Sequence, residues 1–309
     1  MSPVATPPAA RAPAPAAVDP AVPPANRSKP PFPKIGWLGV VLVGFFALMA
    51  LLAPHLTPYR VTELGGNPLE PPTGAHLLGT DAVGQDVATQ LFHGARVSLF
   101  VALFAGGGTL FVGASLGLIA GWAGGRVDAA LMRFVDVVLI IPKIPLLIVA
   151  GAYAGPSLTA IAVIIAVTSW PPTSRVVRSQ VLSLRRRSHV KAAMSFGASS
   201  AQILRRHIVP EVALILVAGF VAAAGRAISF EAGLAFLGLG DPSRASWGAI
   251  VRDAINFAGL FYTDAWAWWL IPPVVAVSLL LLGVTLVGVG VEQRLNPRIA
   301  RHSTRRADP

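Results

Sequence analysis

From Val97 to Trp122 the chain runs for 26 residues without a charged side chain. As a helix that run is about 39 Å long, enough to cross the roughly 30 Å hydrocarbon core of a bilayer. In a water-soluble fold such a helix would need a polar sheath on every side. Charged residues make up only 13% of this chain, about half the usual share for a soluble domain, which is about 25%. The sequence cannot supply the sheath, and the expectation is a membrane protein.

Five further runs meet or approach the span length: Ile35 to about Pro54, Ala129 to Ala154, Pro156 to Val177, Val212 to Leu237 and Trp268 to Val291. Together they predict an all-α integral membrane protein with six transmembrane helices, which puts both termini on one side. With the N-terminus inside, 18 basic residues fall on the cytoplasmic side (Arg126 among them) and three, Arg60, Arg244 and Arg252, outside. Lys and Arg collect in cytoplasmic segments, so the termini are expected in the cytoplasm. The same distribution accounts for most of the net charge of +11 and removes the need for a nucleic-acid partner. The chain has no cysteine, which excludes disulfides, thiolate metal sites and cysteine nucleophiles.

Four regions follow. Residues 1–34 hold eleven of the 27 prolines and too little large apolar surface to offset chain entropy, so they read as a disordered cytoplasmic tail. Residues 35–95 comprise the first span and an outer loop rich in Pro and Gly. Residues 96–292 form a five-helix core that includes a cytoplasmic loop at 171–210, and 293–309 form a basic tail. Trp247, Trp266, Trp268, Trp269 and Tyr262 cluster beside the last span. They read as an interfacial belt, with a folded, substrate-contacting loop as the alternative.

The loop 171–210 carries eight Lys and Arg and no acid. Its pattern predicts two short helices around a break at Gly197, with Ser188 capping the first and Ser199 or Ser200 the second. Pro210 then ends or redirects the second helix. Val190, Ala193, Met194 and Gly197 recur at i, i+3, i+4 and i+7, a small apolar ridge beyond the membrane that needs a partner surface.

Lys191-Ala192-Ala193, Gly197 and Ile208-Val209-Pro210 resemble the coupling loop of ABC importer permeases, with Lys191 where that family usually has glutamate. Leu78-Gly79-Thr80-Asp81 through Asp86, and Gly94-Ala95-Arg96-Val97-Ser98-Leu99, are similar to the segment before the second span in dipeptide, oligopeptide and nickel permeases. Arg133-Phe134-Val135-Asp136 with Ile141-Pro142 resembles their third span, and Phe236-Leu237-Gly238-Leu239-Gly240 with Ser246-Trp247-Gly248 their signature after the fifth. The matches are in order and resemble the C-type subunit more than its partner. The resemblance implies a type I importer permease in a bacterial cytoplasmic membrane, not itself an enzyme. It implies a second, B-type permease, two cytoplasmic ATPases that use ATP and Mg, and an extracytoplasmic solute-binding protein as partners. It further implies that Val190, Lys191, Ala192, Ala193, Met194, Gly197, Ile208 and Pro210 couple to the ATPases, and that peptides or related solutes are carried. No cofactor is expected on this chain.

Charges at membrane depth usually face a partner or an aqueous cavity. Arg133 and Asp136, three apart, are expected to pair with each other, with a role in the pathway as the alternative. Arg226 and Glu231 are five apart, about 140° around the helix, and are not. Both are pathway candidates, Glu231 the better of the two, with a contact to the partner permease as its alternative. Gly113, Gly117 and Gly121 give the second span a flat face for close packing. They also spell a Gly-x-Ser-x-Gly pattern whose hydrolase use needs a strand-to-helix turn, which an apolar helix does not offer. No Gly-Lys dipeptide occurs, so a Walker A loop is absent. The rival reading is an ion-driven secondary transporter working without an ATPase. It predicts inverted repeats and broken helices, neither of them clear in the sequence.

Overall fold

The computed structural model describes residues 32–295. The Pro-rich tail up to residue 31 and the basic tail from residue 296, with Arg298, Arg301, Arg305 and Arg306, lie outside the described residues. Within these limits regular structure is helical: α1 (Lys34–Leu56), α2 (Val87–Ala123), α3 (Gly125–Ile140), α4 (Lys143–Ala154), α5 (Leu158–Ser169), α6 (Pro171–Arg185), α7 (Ser188–Ser195), α8 (Ser200–Ile203), α9 (Val209–Phe236), α10 (Trp247–Asn256) and α11 (Ile271–Leu295). Two isolated bridges, Leu64 with Gln85 and Thr80 with Asp86, tie the loop after α1.

Four helical stretches are long and apolar enough to cross a bilayer: Lys34–Leu56, Val87–Ala123, Ile215–Phe236 and Trp266–Arg294. The expected third and fourth spans are each bent pairs, α3 with α4 at 82° and α5 with α6 at 43°. The causes are in the sequence. Pro142 disfavours helix at Ile141, whose backbone is extended at φ −69°, ψ 123°. Pro171 and Pro172 remove two backbone donors where α6 begins. The third span expected over Ala129–Ala154 is therefore corrected to two helices meeting at 82°.

The packing centre is α2, whose 37 residues extend about 55 Å. Its glycine stripe lies against α6. A Cβ on Gly117 would stand 2.6 Å from the Ser174 carbonyl oxygen, and one on Gly113 2.8 Å from that of Trp170. Only hydrogen at these positions lets the two backbones meet. The same device joins α1 to α11, where a Cβ on Gly39 would stand 2.6 Å from the Gly283 carbonyl. Large apolar side chains on α1, such as Val41, Phe45 and Leu51, point outward, the inverse of a soluble helix.

Candidate functional site

The segment from Arg186 to Glu211 is built on an apolar cluster where α2 and α6 end and α9 begins. Val177, Val181, Leu184, Val190, Ile203, Ile208 and Val212 form it, with Leu118, Trp122, Ala193 and Ala198 packed around them. Val190 is fully buried and is the main anchor of α7. The helix ends in a Schellman turn: Gly197 at φ +76° donates its N–H to the Met194 carbonyl, and Ala198 donates to Ala193. Ala193 and Ala198 lie on the same cluster, the hydrophobic contact that usually accompanies this turn. Ser199 caps α8 by accepting from the Gln202 N–H. Ser188 does not cap α7, because it is already the first helical residue and Arg187 occupies the capping position without a side-chain bond.

Pro210 does not end the helical run. Residues Leu204–Ile208 form one π-helical turn in which the Val209 N–H reaches the Leu204 carbonyl, five residues back. The wider turn accommodates a ring that would press on the carbonyl four residues earlier in an α-helix, and that has no N–H to give. α8 thus continues into α9. A second π turn, Trp266–Leu270, precedes Pro272 and Pro273 in the same way.

Of the residues expected to contact an ATPase, the structure gathers Val190, Ala193 and Ile208 into the cluster and leaves Lys191, Ala192, Met194, Gly197 and Pro210 on the surface. The apolar ridge is therefore split, since its first residue anchors the helix instead of projecting. The strongest outward feature is Phe196, 90% exposed, which the heptad-like spacing passed over. A single aromatic residue beside Gly197, in a stretch of small side chains, is the signal that marks it. Arg187 Nη1 lies 2.6 Å from Glu211 Oε2, and His189 Nε2 lies 3.4 Å from Oε1, a surface clasp between the start of α7 and the start of α9.

Within the spans the charges find different partners from those expected. Arg133 and Asp136 do not pair. Asp136 bonds Arg175 of α6, while Arg133 is exposed. One turn further along α6, Arg178 holds Asp128 through two parallel bonds, Nε to Oδ1 and Nη2 to Oδ2, the latter at 2.6 Å. Arg175 and Arg178 thus clamp α3 onto α6. Lys143 Nζ donates to the Ser169 hydroxyl at 2.5 Å and lies 4.9 Å from the centre of the Phe230 ring. Arg226 lines an apolar cleft of about 150 Å³ between α2, α6 and α9. Glu231 is buried, accepts a 2.6 Å bond from Ser246 and has no partner at Oε2 among the described residues. It faces the α9–α10 contact.

The loop of residues 57–86 is a folded cap. Asp86 accepts the Thr89 N–H at the start of α2, and its other oxygen meets His76 Nδ1 at 3.0 Å. Asp81 accepts the N–H groups of Val83 and Gln85 and the Gln90 amide. Thr80 ties Asn67 and Glu70 together. Gly79, at φ +65°, leaves no room for a side chain beside the Glu70 carbonyl. The expected tryptophan belt is corrected. Trp247 is buried against Gly94 and donates to the Leu91 carbonyl, Trp268 donates to that of Thr80, and Trp269 is buried. Trp266 and Tyr262 remain exposed. Beyond the cap, Asp241 is held below the usual carboxylate range. Burial works to raise it and is outweighed by bonds from the Ser243 hydroxyl and N–H, the Leu158 N–H and the charge of Arg244.

Residues 113–301 match the family described as the binding-protein-dependent transport system inner membrane component. The chain is similar to the dipeptide transport system permease protein DppC of Bacillus subtilis (strain 168), 33% identical over 271 residues that cover 87% of this chain and 83% of the relative. DppC of Alkalihalophilus pseudofirmus is 34% identical over 268 residues, 86% of each chain. The oligopeptide transport system permease protein OppC of Bacillus subtilis is 31% identical over 271 residues, 87% of each.

Proposed function

Because the chain belongs to the family of binding-protein-dependent transport system inner membrane components, a multi-pass protein of the bacterial cytoplasmic membrane, we propose that it is the C-type permease of an ATP-driven peptide importer. In this reading it forms half of the pathway beside a B-type permease, with six membrane crossings and both termini in the cytoplasm. An extracytoplasmic binding protein delivers di- or oligopeptides, and two ATPases using Mg and ATP dock on the loop 188–210. In this reading the chain supplies no catalytic residue and binds no cofactor, and ATP is hydrolysed by the partner subunits. The observation that carries the reading is the similarity to dipeptide and oligopeptide permeases over nearly the whole chain.

The geometry supplies a physical route for coupling. Met194, Phe196 and Gly197 stand on the surface around a helix end whose inner face is fixed by Val190. A push on Phe196 is transmitted through packed side chains to α6 and, through the π turn, to α9. Motion of α6 carries α3 through the two arginine clamps. A two-state pathway needs such rigid pieces moving against one another. The bend at Ile141-Pro142 meets one mark of the secondary-transporter reading, a broken helix, but a proline accounts for it without a substrate site.

The test is co-purification and transport. The chain, solubilised from its own membrane, is expected to bring down an ABC ATPase and, in vesicles with its partners, to take up peptide only with ATP. Uptake by the chain alone, driven by an ion gradient, would overturn the reading.

A further inference from the structure

At the end of α2 near the cap, a cleft of about 400 Å³ opens between α2, the start of α5 and the loop after α9. Its polar wall carries two guanidinium groups, Arg96 from α2 and Arg244 beside Ser243 from the loop, together with the His93 imidazole. Its apolar wall includes Phe100 and Leu158. Arg244 touches one acid, Asp241, through Nε at 3.5 Å, and Asp241 is already occupied by Ser243. Among the described residues Arg96 makes no ion pair. Two guanidinium groups and an imidazole therefore line a space of ligand size, and among the described residues their one ion pair is that of Arg244 with Asp241. A planar guanidinium is matched by a carboxylate, which it can bind through two parallel hydrogen bonds.

We propose that this cleft binds the terminal carboxylate of the peptide entering the pathway, with Arg96 and Arg244 on the carboxylate and Phe100 and Leu158 against the last side chain. The identity of the ligand rests on the peptide-permease reading. The chemistry suits such a carrier because peptides of different sequence share a terminal carboxylate, and a site that reads it need not discriminate among side chains.

Two measurements test the site. The purified chain in lipid nanodiscs is treated with phenylglyoxal, which modifies free guanidinium groups, and Arg96 labelling is followed by mass spectrometry. Dialanine at a few times its dissociation constant is expected to slow that labelling by roughly threefold, and dialanine amide, which lacks the carboxylate, is expected to leave it unchanged. Equal labelling with both compounds overturns the proposal. In the complete transporter, with loading of the binding protein measured separately for each peptide, Arg96→Gln is expected to lower kcat/KM for dialanine by about tenfold, the scale of one charge-assisted pair. Uptake of the amide should change little, and Arg96→Lys should recover part of the loss. An equal fall for both peptides, or none for either, overturns the proposal. The two arms separate this inference from the reading beneath it. ATP-driven peptide uptake without protection of Arg96 defeats the site alone, whereas protection without uptake defeats the permease reading and leaves the carboxylate site standing.

Discussion

The cap at residues 57–86 and the segment 186–211 close opposite ends of α2, and they are held by different forces. In the cap, His76, Thr80, Asp81, Asp86 and Gln90 are buried polar groups that satisfy one another and the backbone. Such bonds are directional, and a buried network that loses one member leaves the others without water or partners. The segment 186–211 rests on aliphatic side chains, whose attraction has no preferred angle, plus one solvent-facing clasp at Glu211. The first construction has a single good geometry. The second allows small tilts of α7 at little cost, which suits the docking surface proposed above.

The largest test of this contrast is Asp86→Ala. It removes the α2 cap and strips His76 of its partner, two losses of about 1 kcal/mol and about 1–3 kcal/mol. Thermal unfolding in detergent should report a destabilisation near 3 kcal/mol, and a loss under about 1 kcal/mol would show the cap to be less tightly specified than its bonds suggest. Next comes Gly197→Val. No atom lies within 4 Å of the added Cβ, so the cost is confined to the left-handed backbone, about 1–2 kcal/mol. The protein should insert normally while ATP-driven uptake into vesicles falls, and unchanged uptake would separate the turn from coupling. The smallest is Glu211→Gln. Its carboxylate and Arg187 are 35% and 55% exposed, so the unfolding free energy should move by no more than about 0.5 kcal/mol. A larger shift would mean that the two ends of α2 are held alike.

Much of this architecture is legible in the sequence because the bilayer imposes coarse rules. Run length locates the apolar helices, and the spacing of Gly113, Gly117 and Gly121 marks the face on which α6 packs. The bend at Pro142 was equally available, since the residue before a proline avoids helix, yet the apolar run around it reads as one span when hydropathy alone is counted. The charge pairs were not legible. A spacing of three joins Arg133 to Asp136 on paper, but sequence spacing describes a helix by itself, and Asp136 answers to Arg175 thirty-nine residues away. The cap was hidden for the same reason, because its bonds link loop residues to α2 and to Trp268 in the π turn before α11 through contacts that no local pattern encodes. In the candidate coupling segment, periodicity found Val190 and Gly197 but gave Val190 the wrong direction. The cluster beneath α7 is contributed by α2, α6 and α9, helices that the loop sequence does not mention.

The π turns before Pro210 and Pro272 carry a consequence for how this chain tolerates length changes. Each turn holds one residue more than the α-helical register requires, so each is a stored insertion. Elsewhere in a span, deleting one residue would rotate all that follows by about 100° and turn lipid-facing side chains inward. Within Leu204–Ile208 or Trp266–Leu270 the same deletion would consume the surplus and leave the downstream faces of α9 or α11 where they are, at the cost of pressing a proline ring onto the turn before it. The fifth and sixth apolar stretches thus each begin at a joint that buffers register, whereas α1 and α2, which have none, are fixed in rotation from their first residue.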